Sequence, residues 1–367
     1  MIKVLVVDDS GFMRMVLRKM LREHQDIEVI AEAANGREAL KLAAEHEPDL
    51  ITMDVEMPGL DGLETTRLLM ERNPTPIIMV SALTKDAADT TIDALAAGAV
   101  DFVPKSSAAI ELDVIAIQKA LQEKIVYWAK HKKDCRRPQE DERAEVTPLA
   151  GVRRPSERRE VDLIIIGAST GGPRMLPELL RAMGKAPCPV VAAVHMPELY
   201  CKSFVEHLRD NTGLDVRLGS HMMPLEPGQV VIPCGGTDST IQRALSNEYR
   251  LKVGPKTDTP LHPSIDVLLA SAARNARAPV GVIMTGMGQD GLEGAREMAR
   301  RDFPVLTQSK ETCVVYGMPK AVVDAGLSSQ ALSVEGLART LSSWARRKRP
   351  ANDNVSEGPR IARAAVE

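Results

Sequence analysis

Short, wholly apolar runs alternate along this chain with stretches in which apolar residues recur every third or fourth position. Val4-Leu5-Val6-Val7 reads as a buried strand, and Met13, Val16, Leu17, Met20 and Leu21 then share one face of a helix. Leu50-Ile51-Thr52-Met53, Ile77-Ile78-Met79-Val80 and Asp101-Phe102-Val103 repeat the strand signal. Helical stretches run from Arg37 to His46 and from Asp86 to Ala97, the second closed by Gly98. Strands that are apolar at successive positions, separated by helices, predict a parallel sheet covered on both faces.

The pattern lapses from about Ala129 to Glu160, where charges of both signs crowd together with Pro138, Pro148 and Pro155, a linker composition. It resumes at Val161 to Ile166 and continues through Val190 to Val194, Val230 to Ile232, Val280 to Met284 and Val305-Leu306. Ile265, Leu268, Leu269, Ala272 and Ala273 repeat the helix spacing. The predicted fold class is α/β, with two doubly wound parallel-sheet domains. The expected boundaries are 1–125, a charged linker 126–160, a second domain 161–345 and a disordered tail 346–367.

A length of 367 residues suits two domains, and a hydrophobic fraction of 44% lets each bury a core. Only 3% of residues are aromatic, so those cores must rest on Leu, Ile, Val, Met and Ala. A net charge of -3 gives no electrostatic reason to expect nucleic acid or an anionic membrane as partner. The 5 cysteines include no C-x-x-C pair, which suits a reducing compartment. No leader precedes the first strand, and no apolar run approaches the roughly 20 residues of a membrane span. A cytoplasmic protein without membrane insertion is expected.

Candidate chemistry falls at the ends of the predicted strands. In open parallel sheets, ligands gather outside the carboxyl ends of the strands. Asp8 and Asp9 follow the first run, Asp54 the second, Ser81 the third and Lys105 the fourth. Three carboxylates (Asp8, Asp9, Asp54) converging there require a cation, and a small set of hard oxygen ligands suits Mg²⁺ sharing a phosphate. Asp54 is placed to attack phosphorus. Lys105 could pair with a phosphoryl oxygen, and the Ser81 hydroxyl could swing in to bond another.

The second domain carries a different set. Ser169 lies in Gly167-Ala168-Ser169-Thr170-Gly171, follows an apolar strand and precedes Gly172-Pro173 and a helix. The glycines allow a sharp turn that presents the hydroxyl, with amides nearby for an oxyanion. His195, ending the next run, can act as its base, and Asp290, in Thr285-Gly286-Met287-Gly288-Gln289-Asp290-Gly291, can orient the imidazole. His207, His221 and His262 are alternative bases. The order Ser, His, Asp differs from the Ser, Asp, His order of ordinary α/β-hydrolases.

The first half resembles the receiver domains of bacterial response regulators. The likeness is carried by Val-Val-Asp-Asp-Ser (6–10), Met-Asp-Val-Glu-Met-Pro-Gly-Leu-Asp-Gly (53–62), Met-Val-Ser-Ala (79–82) and Gly-Ala-Val-Asp-Phe-Val-Pro-Lys (98–105). The second half resembles the catalytic domain of the chemotaxis protein-glutamate methylesterases, the CheB family. There the words are Gly-Ala-Ser-Thr-Gly-Gly-Pro (167–173), Val-His-Met-Pro (194–197), His-Pro-Ser-Ile-Asp-Val-Leu (262–268), Met-Thr-Gly-Met-Gly-Gln-Asp-Gly (284–291) and Cys-Val-Val-Tyr-Gly-Met-Pro (313–319).

The resemblance implies a flavodoxin-like receiver gating an esterase. It implies Ser169 as nucleophile, His195 as general base and acid, Asp290 as its partner, the Met287 amide as oxyanion donor and the Thr170 hydroxyl as a support for the imidazole. It also implies methyl-accepting chemoreceptors as substrate, a CheA-type histidine kinase as phosphodonor to Asp54, and deamidation of receptor glutamines at the same site. Mg²⁺ serves the receiver alone; the esterase set needs no cofactor. The chain departs from the family pattern at Pro104-Lys105-Ser106, where a proline usually follows the lysine, at Cys234-Gly235-Gly236-Thr237-Asp238, and at Gln308-Ser309-Lys310-Glu311.

Other classes remain to be weighed. Leu-Ile-Ile-Ile-Gly-Ala-Ser-Thr-Gly-Gly (163–172) could open a dinucleotide-binding unit, but that fold wants an acidic residue about 20 residues on, where this chain has His195-Met196. Arg346-Arg347-Lys348-Arg349 could serve a DNA-binding output, yet no helix-turn-helix pattern accompanies it. A non-catalytic, phosphorylation-dependent interaction module is the remaining alternative.

Overall fold

The computed structural model describes residues 1–105, 111–130, 161–246, 248–259 and 261–345. Strands β1 (Ile2–Val7), β2 (Ile27–Ala33), β3 (Leu50–Asp54), β4 (Ile77–Ser81) and β5 (Asp101–Pro104) alternate with helices α1 (Gly11–Arg22), α2 (Gly36–His46), α3 (Gly62–Arg72), α4 (Lys85–Ala97) and α5 (Glu111–Lys130). The strands form a parallel sheet in the order β2-β1-β3-β4-β5. Residues 4 to 7 and 50 to 54 are buried because helices cover both faces. Side chains set the helix starts: Ser10, Asn35, Asp61 and Thr84 each accept a hydrogen bond from an amide of the first turn. Gly98, at φ 119°, closes α4.

The second parallel sheet has seven strands, in the order β15-β14-β13-β6-β7-β10-β8. These are β6 (Leu163–Ala168), β7 (Val190–Val194), β8 (Asp215–Leu218), β10 (Gln229–Ile232), β13 (Pro279–Ile283), β14 (Val305–Gln308) and β15 (Gln330–Leu332). Its helices are α6 (Gly172–Met183), α7 (Glu198–Thr212), α8 (Ile265–Asn275), α9 (Leu292–Ala299), α10 (Met318–Asp324) and α11 (Val334–Ala345). The α/β class with two doubly wound parallel sheets thus holds. An antiparallel sheet of β9 (Met223–Leu225), β11 (Asp238–Arg243) and β12 (Tyr249–Gly254) is an addition that the apolar runs did not announce, since only one face of these strands is buried.

A second correction concerns residues 126–130, assigned from sequence to the linker. They belong to α5, because Leu121, Ile125 and Trp128, on one helical face, are all fully buried. The remainder of the expected linker, 131–160, and the expected tail, 346–367, lie outside the described residues. One continuous apolar cluster runs from the first sheet through Phe102 and Trp128 to Tyr200 and Phe204 of α7.

Candidate active site and phosphoacceptor pocket

In the first sheet the strand order reverses between β1 and β3, and the crevice at such a point is where ligands collect. Asp8 follows β1 and Asp54 ends β3, so both carboxylates open into that crevice. Carboxylate oxygens of Asp8, Asp9 and Asp54 lie within 4.8 Å of one another, an all-oxygen donor set suited to Mg²⁺. Lys105 reaches across from the end of β5, with its Nζ 2.7 Å from Asp54 Oδ2 and 2.9 Å from Asp8 Oδ2. Burial pushes Asp54 up to about 6; the hydrogen bond and charge of Lys105 pull it down, and Asp8 adds to the rise. Burial would depress the Lys105 ammonium, but hydrogen bonds and charge from the two carboxylates outweigh it and hold the group above its ordinary value.

Ser81 is turned away from this cluster. Its buried hydroxyl accepts from Thr91 Oγ1 at 2.7 Å and lies 3.3 Å from the Ala87 carbonyl, both on α4. A swing toward Asp54 requires breaking the bond to Thr91.

The second site is assembled by strand register. Ala168 of β6 pairs with Val194 of β7, and Gly167 pairs with Ile283 of β13. The chains then stay in step for one more residue: the His195 amide donates to Ala168 O (3.1 Å) and the Ser169 amide to Thr285 O (3.0 Å). Ser169 and His195 therefore emerge side by side at the carboxyl edge. Gly171, at φ 80°, makes the turn into α6, and a Cβ there would come within 2.4 Å of Val314. The Gly172 amide is taken up by the Ser169 carbonyl at 2.7 Å and is not available to an oxyanion.

His195 Nε2–H donates to Asp290 Oδ2 at 2.8 Å, and the ring is 6% exposed. Its Nδ1 is buried and has no hydrogen-bond partner among the described residues. With Nε2 committed to Asp290, Nδ1 is the nitrogen that holds the lone pair. This corrects the expectation for Thr170: its hydroxyl does not hold the imidazole. Thr170 instead contributes its carbonyl, which accepts from the buried Thr285 hydroxyl at 3.0 Å, and the ring is oriented from the Asp290 side.

Asp290 sits at the amino end of α8. Its carboxylate accepts from the amides of Ile265 (2.8 Å) and Asp266 (2.9 Å) as well as from His195. Burial alone would raise Asp290. The bond and charge of His195, with those two amides, more than offset this and hold it below the usual carboxylate range. Met287 lies three residues before Asp290 on the same loop, and its amide makes no internal hydrogen bond among the described residues. The alternative histidines are engaged elsewhere. His262 Nδ1 lies 3.0 Å from Asp238 Oδ1, His221 Nδ1 lies 2.7 Å from the Val253 carbonyl, and His207 lies near Asp93 of α4.

The sequence missed the residues that hold this site in place. Asp238 accepts from Thr257, His262 and the Ser264 amide, and so ties down the loop before α8. Ser264 caps α8, a signal readable from a serine placed just before an apolar helix period. Thr285 and Gln308 bond across β13 and β14, and no local pattern marks them.

Residues 4–116 match the model of the response regulator receiver domain, and residues 164–341 that of the CheB methylesterase. The protein-glutamate methylesterase/protein-glutamine glutaminase 1 of Saccharophagus degradans is 37% identical, over 93% of this chain and 99% of its own length. A namesake from Oleidesulfovibrio alaskensis is 37% identical over 93% and 98%, and that of Bacillus subtilis 38% identical over 95% and 100%. Two domain matches in this order, with likeness over nearly the full length of such relatives, make this chain a member of the CheB methylesterase family.

Proposed function

We propose that this chain is a phosphorylation-activated protein-glutamate methylesterase, and a glutaminase at the same site, acting on methyl-accepting chemoreceptors in the cytoplasm. The observation that carries the reading is the meeting of Ser169, His195 and Asp290 at one sheet edge, with the imidazole's free nitrogen on the side away from Asp290. Among the described residues, no helix is long and apolar enough to cross a membrane.

Ser169 Oγ attacks the carbonyl carbon of a glutamate methyl ester while its proton passes to His195 Nδ1. The Met287 amide donates to the oxygen that becomes negative. His195 then returns the proton to the departing methoxide, methanol leaves, and an acyl-serine remains. Water attacks that acyl group with His195 again taking a proton, the glutamate leaves as carboxylate, and the serine is restored. Asp290 stabilises the imidazolium at both stages. On a glutamine side chain the same sequence releases ammonia.

At the receiver, Asp54 attacks phosphorus of a phosphohistidine on a CheA-type kinase, forming an acyl phosphate as the histidine departs. Asp8, Asp9 and Asp54 would hold Mg²⁺, which supplies positive charge for the phosphoryl oxygens. Lys105 Nζ pairs with one of those oxygens, and the Ser81 hydroxyl rotates from Thr91 to bond another.

A dinucleotide site lacks the acidic residue its ribose needs, because β7 runs into His195-Met196. Methanol release from methylated receptor membranes separates the esterase from a non-catalytic interaction module. Ser169→Ala is expected to lower turnover by about 10⁴-fold or more. Unchanged release by that variant would remove the serine from the mechanism.

A further inference from the structure

Two carboxylates, not one, stand at the amino end of α8. Asp290 accepts from the Asp266 amide at 2.9 Å, and Asp266 answers by accepting from the amides of Gly291 (2.9 Å) and Gly294 (2.7 Å). Asp290 thus caps α8 from the loop before α9, while Asp266 caps α9 from the first turn of α8. Gly291, at the start of α9, offers no side chain of its own for capping. The helices also approach closely, since a Cβ on Gly294 would come within 3.0 Å of the Asp266 carbonyl.

We propose that Asp266 is a positioning residue for the His195–Asp290 pair, holding the loop that carries Asp290 and keeping the Asp290 charge directed at the imidazole. The inference rests on the esterase reading above. Among the described residues no hydrogen bond joins Asp266 to His195, and Asp266 acts through Asp290.

The charges around the pair give this role a pH dependence. The loop after β13 contributes Asp290 and the Gly291 amide, α9 contributes the Gly294 amide, and β7 contributes His195 through Asp290. Burial pushes Asp266 up to about 6, against the pull of the Gly294 amide, and the neighbouring Asp290 charge adds to the rise. Asp290 is held low, so Asp266 takes the first proton of the two as pH falls. A protonated Asp266 can donate to Asp290, drawing negative charge away from the oxygen that grips Nε2. Well above pH 6 both carboxylates are charged and the imidazolium keeps the stabilisation of both.

Asp266→Asn tests this with little change of shape. The amide oxygen still accepts from Gly291 and Gly294, and the amide nitrogen donates to Asp290 as the protonated acid would. At pH 8 the variant is expected to lose about tenfold in kcat, equivalent to about 1.4 kcal/mol. KM for the methylated receptor should be unchanged, the acid limb of the kcat profile should move to lower pH, and the Tm should stay near that of the parent. Parent-like kcat with a parent-like pH profile would reduce Asp266 to a helix cap and overturn the proposal. The unaltered protein gives a second readout that does not depend on the variant folding. Below pH 6 its kcat should fall more steeply than a single ionisation allows, and a profile fitted by one ionisation overturns the proposal as well. Absence of methanol release from the unaltered protein would instead sink the esterase reading, and this inference with it.

Discussion

Asp54 and Asp290 are both buried carboxylates, and their surroundings drive them in opposite directions. Burial dominates at Asp54 and lifts it to about 6 despite Lys105, whereas His195 and two helix amides hold Asp290 low. A lowered carboxyl contributes stability that is present above its unfolded value and is lost only as pH falls through the lower folded one. The contribution of Asp290 therefore survives mild acid. The raised Asp54 has the opposite sign: the folded state binds the proton more tightly, whereas the proposed attack on phosphorus needs the ionised form. In Mg²⁺-free protein the Asp54 carboxyl, followed by NMR, is expected to titrate at about pH 6. An Asp54 carboxyl that stays ionised well below pH 6 in that protein would contradict the effect assigned to burial. Asp8, Asp54, Lys105, Ser169, His195 and Asp290 were legible because each directly follows an apolar run, or lies in a glycine-rich loop just after one. Asp266 and Asp238 were not, because their role is to accept amides from segments distant in sequence. The Thr170 hydroxyl's role came from the family resemblance alone, and a resemblance of motif does not say which way a ring nitrogen is satisfied.

At the level of elements, the site depends on how closely backbones meet at the carboxyl edge of the second sheet. Gly286 lies where a Cβ would come within 2.9 Å of the Ser169 Cβ and 2.2 Å of Met318 Sδ. Gly286→Ala should therefore displace the Ser169 turn, lowering the Tm through an overpacking cost of about 1–3 kcal/mol and lowering methanol release more than tenfold. Parent-like values of both would show that the backbone has room to give. The apolar runs and helix periods identified most strands of the two parallel sheets and some of the helices beside them, α1, α2, α4, α6 and α8 among them. They passed over β9, β11 and β12, whose alternating, half-exposed residues lack a continuous apolar run. They named no helix at α5, and the domain end expected at 125 falls inside it, before the buried Trp128.

Across the whole molecule, the two domains share one apolar cluster, and the contacts that join them lie next to both sites. Helix α4, which carries Thr91, packs on α7. Tyr200 of α7 is fully buried against Phe102 of β5, with ring centroids 4.6 Å apart. Burial raises that phenol, opposed by the hydroxyls of Ser81 and Thr91. On the other side, Tyr127 of α5 donates to the Val314 carbonyl at 3.3 Å, and Val314 is the residue that packs on Gly171 beside Ser169. The proposed rotation of Ser81 toward a phosphoryl group would thus act where the catalytic domain is anchored. Tyr200→Ala, which removes about 3–5 kcal/mol of buried aromatic packing, should raise methanol release by the unphosphorylated protein and shrink its response to phosphodonor. A basal rate equal to the parent's would place the restraint elsewhere in the interface.

The central claim, that chemistry at Asp54 governs ester cleavage at Ser169, is tested most directly by methanol release from methylated chemoreceptor membranes. The assay compares the full chain in Mg²⁺ with and without a small phosphodonor, beside Asp54→Asn. Release by the unaltered protein should rise with the donor, whereas Asp54→Asn should keep a basal rate that the donor does not change. Equal stimulation of the two proteins, or a donor without effect on either, would contradict it.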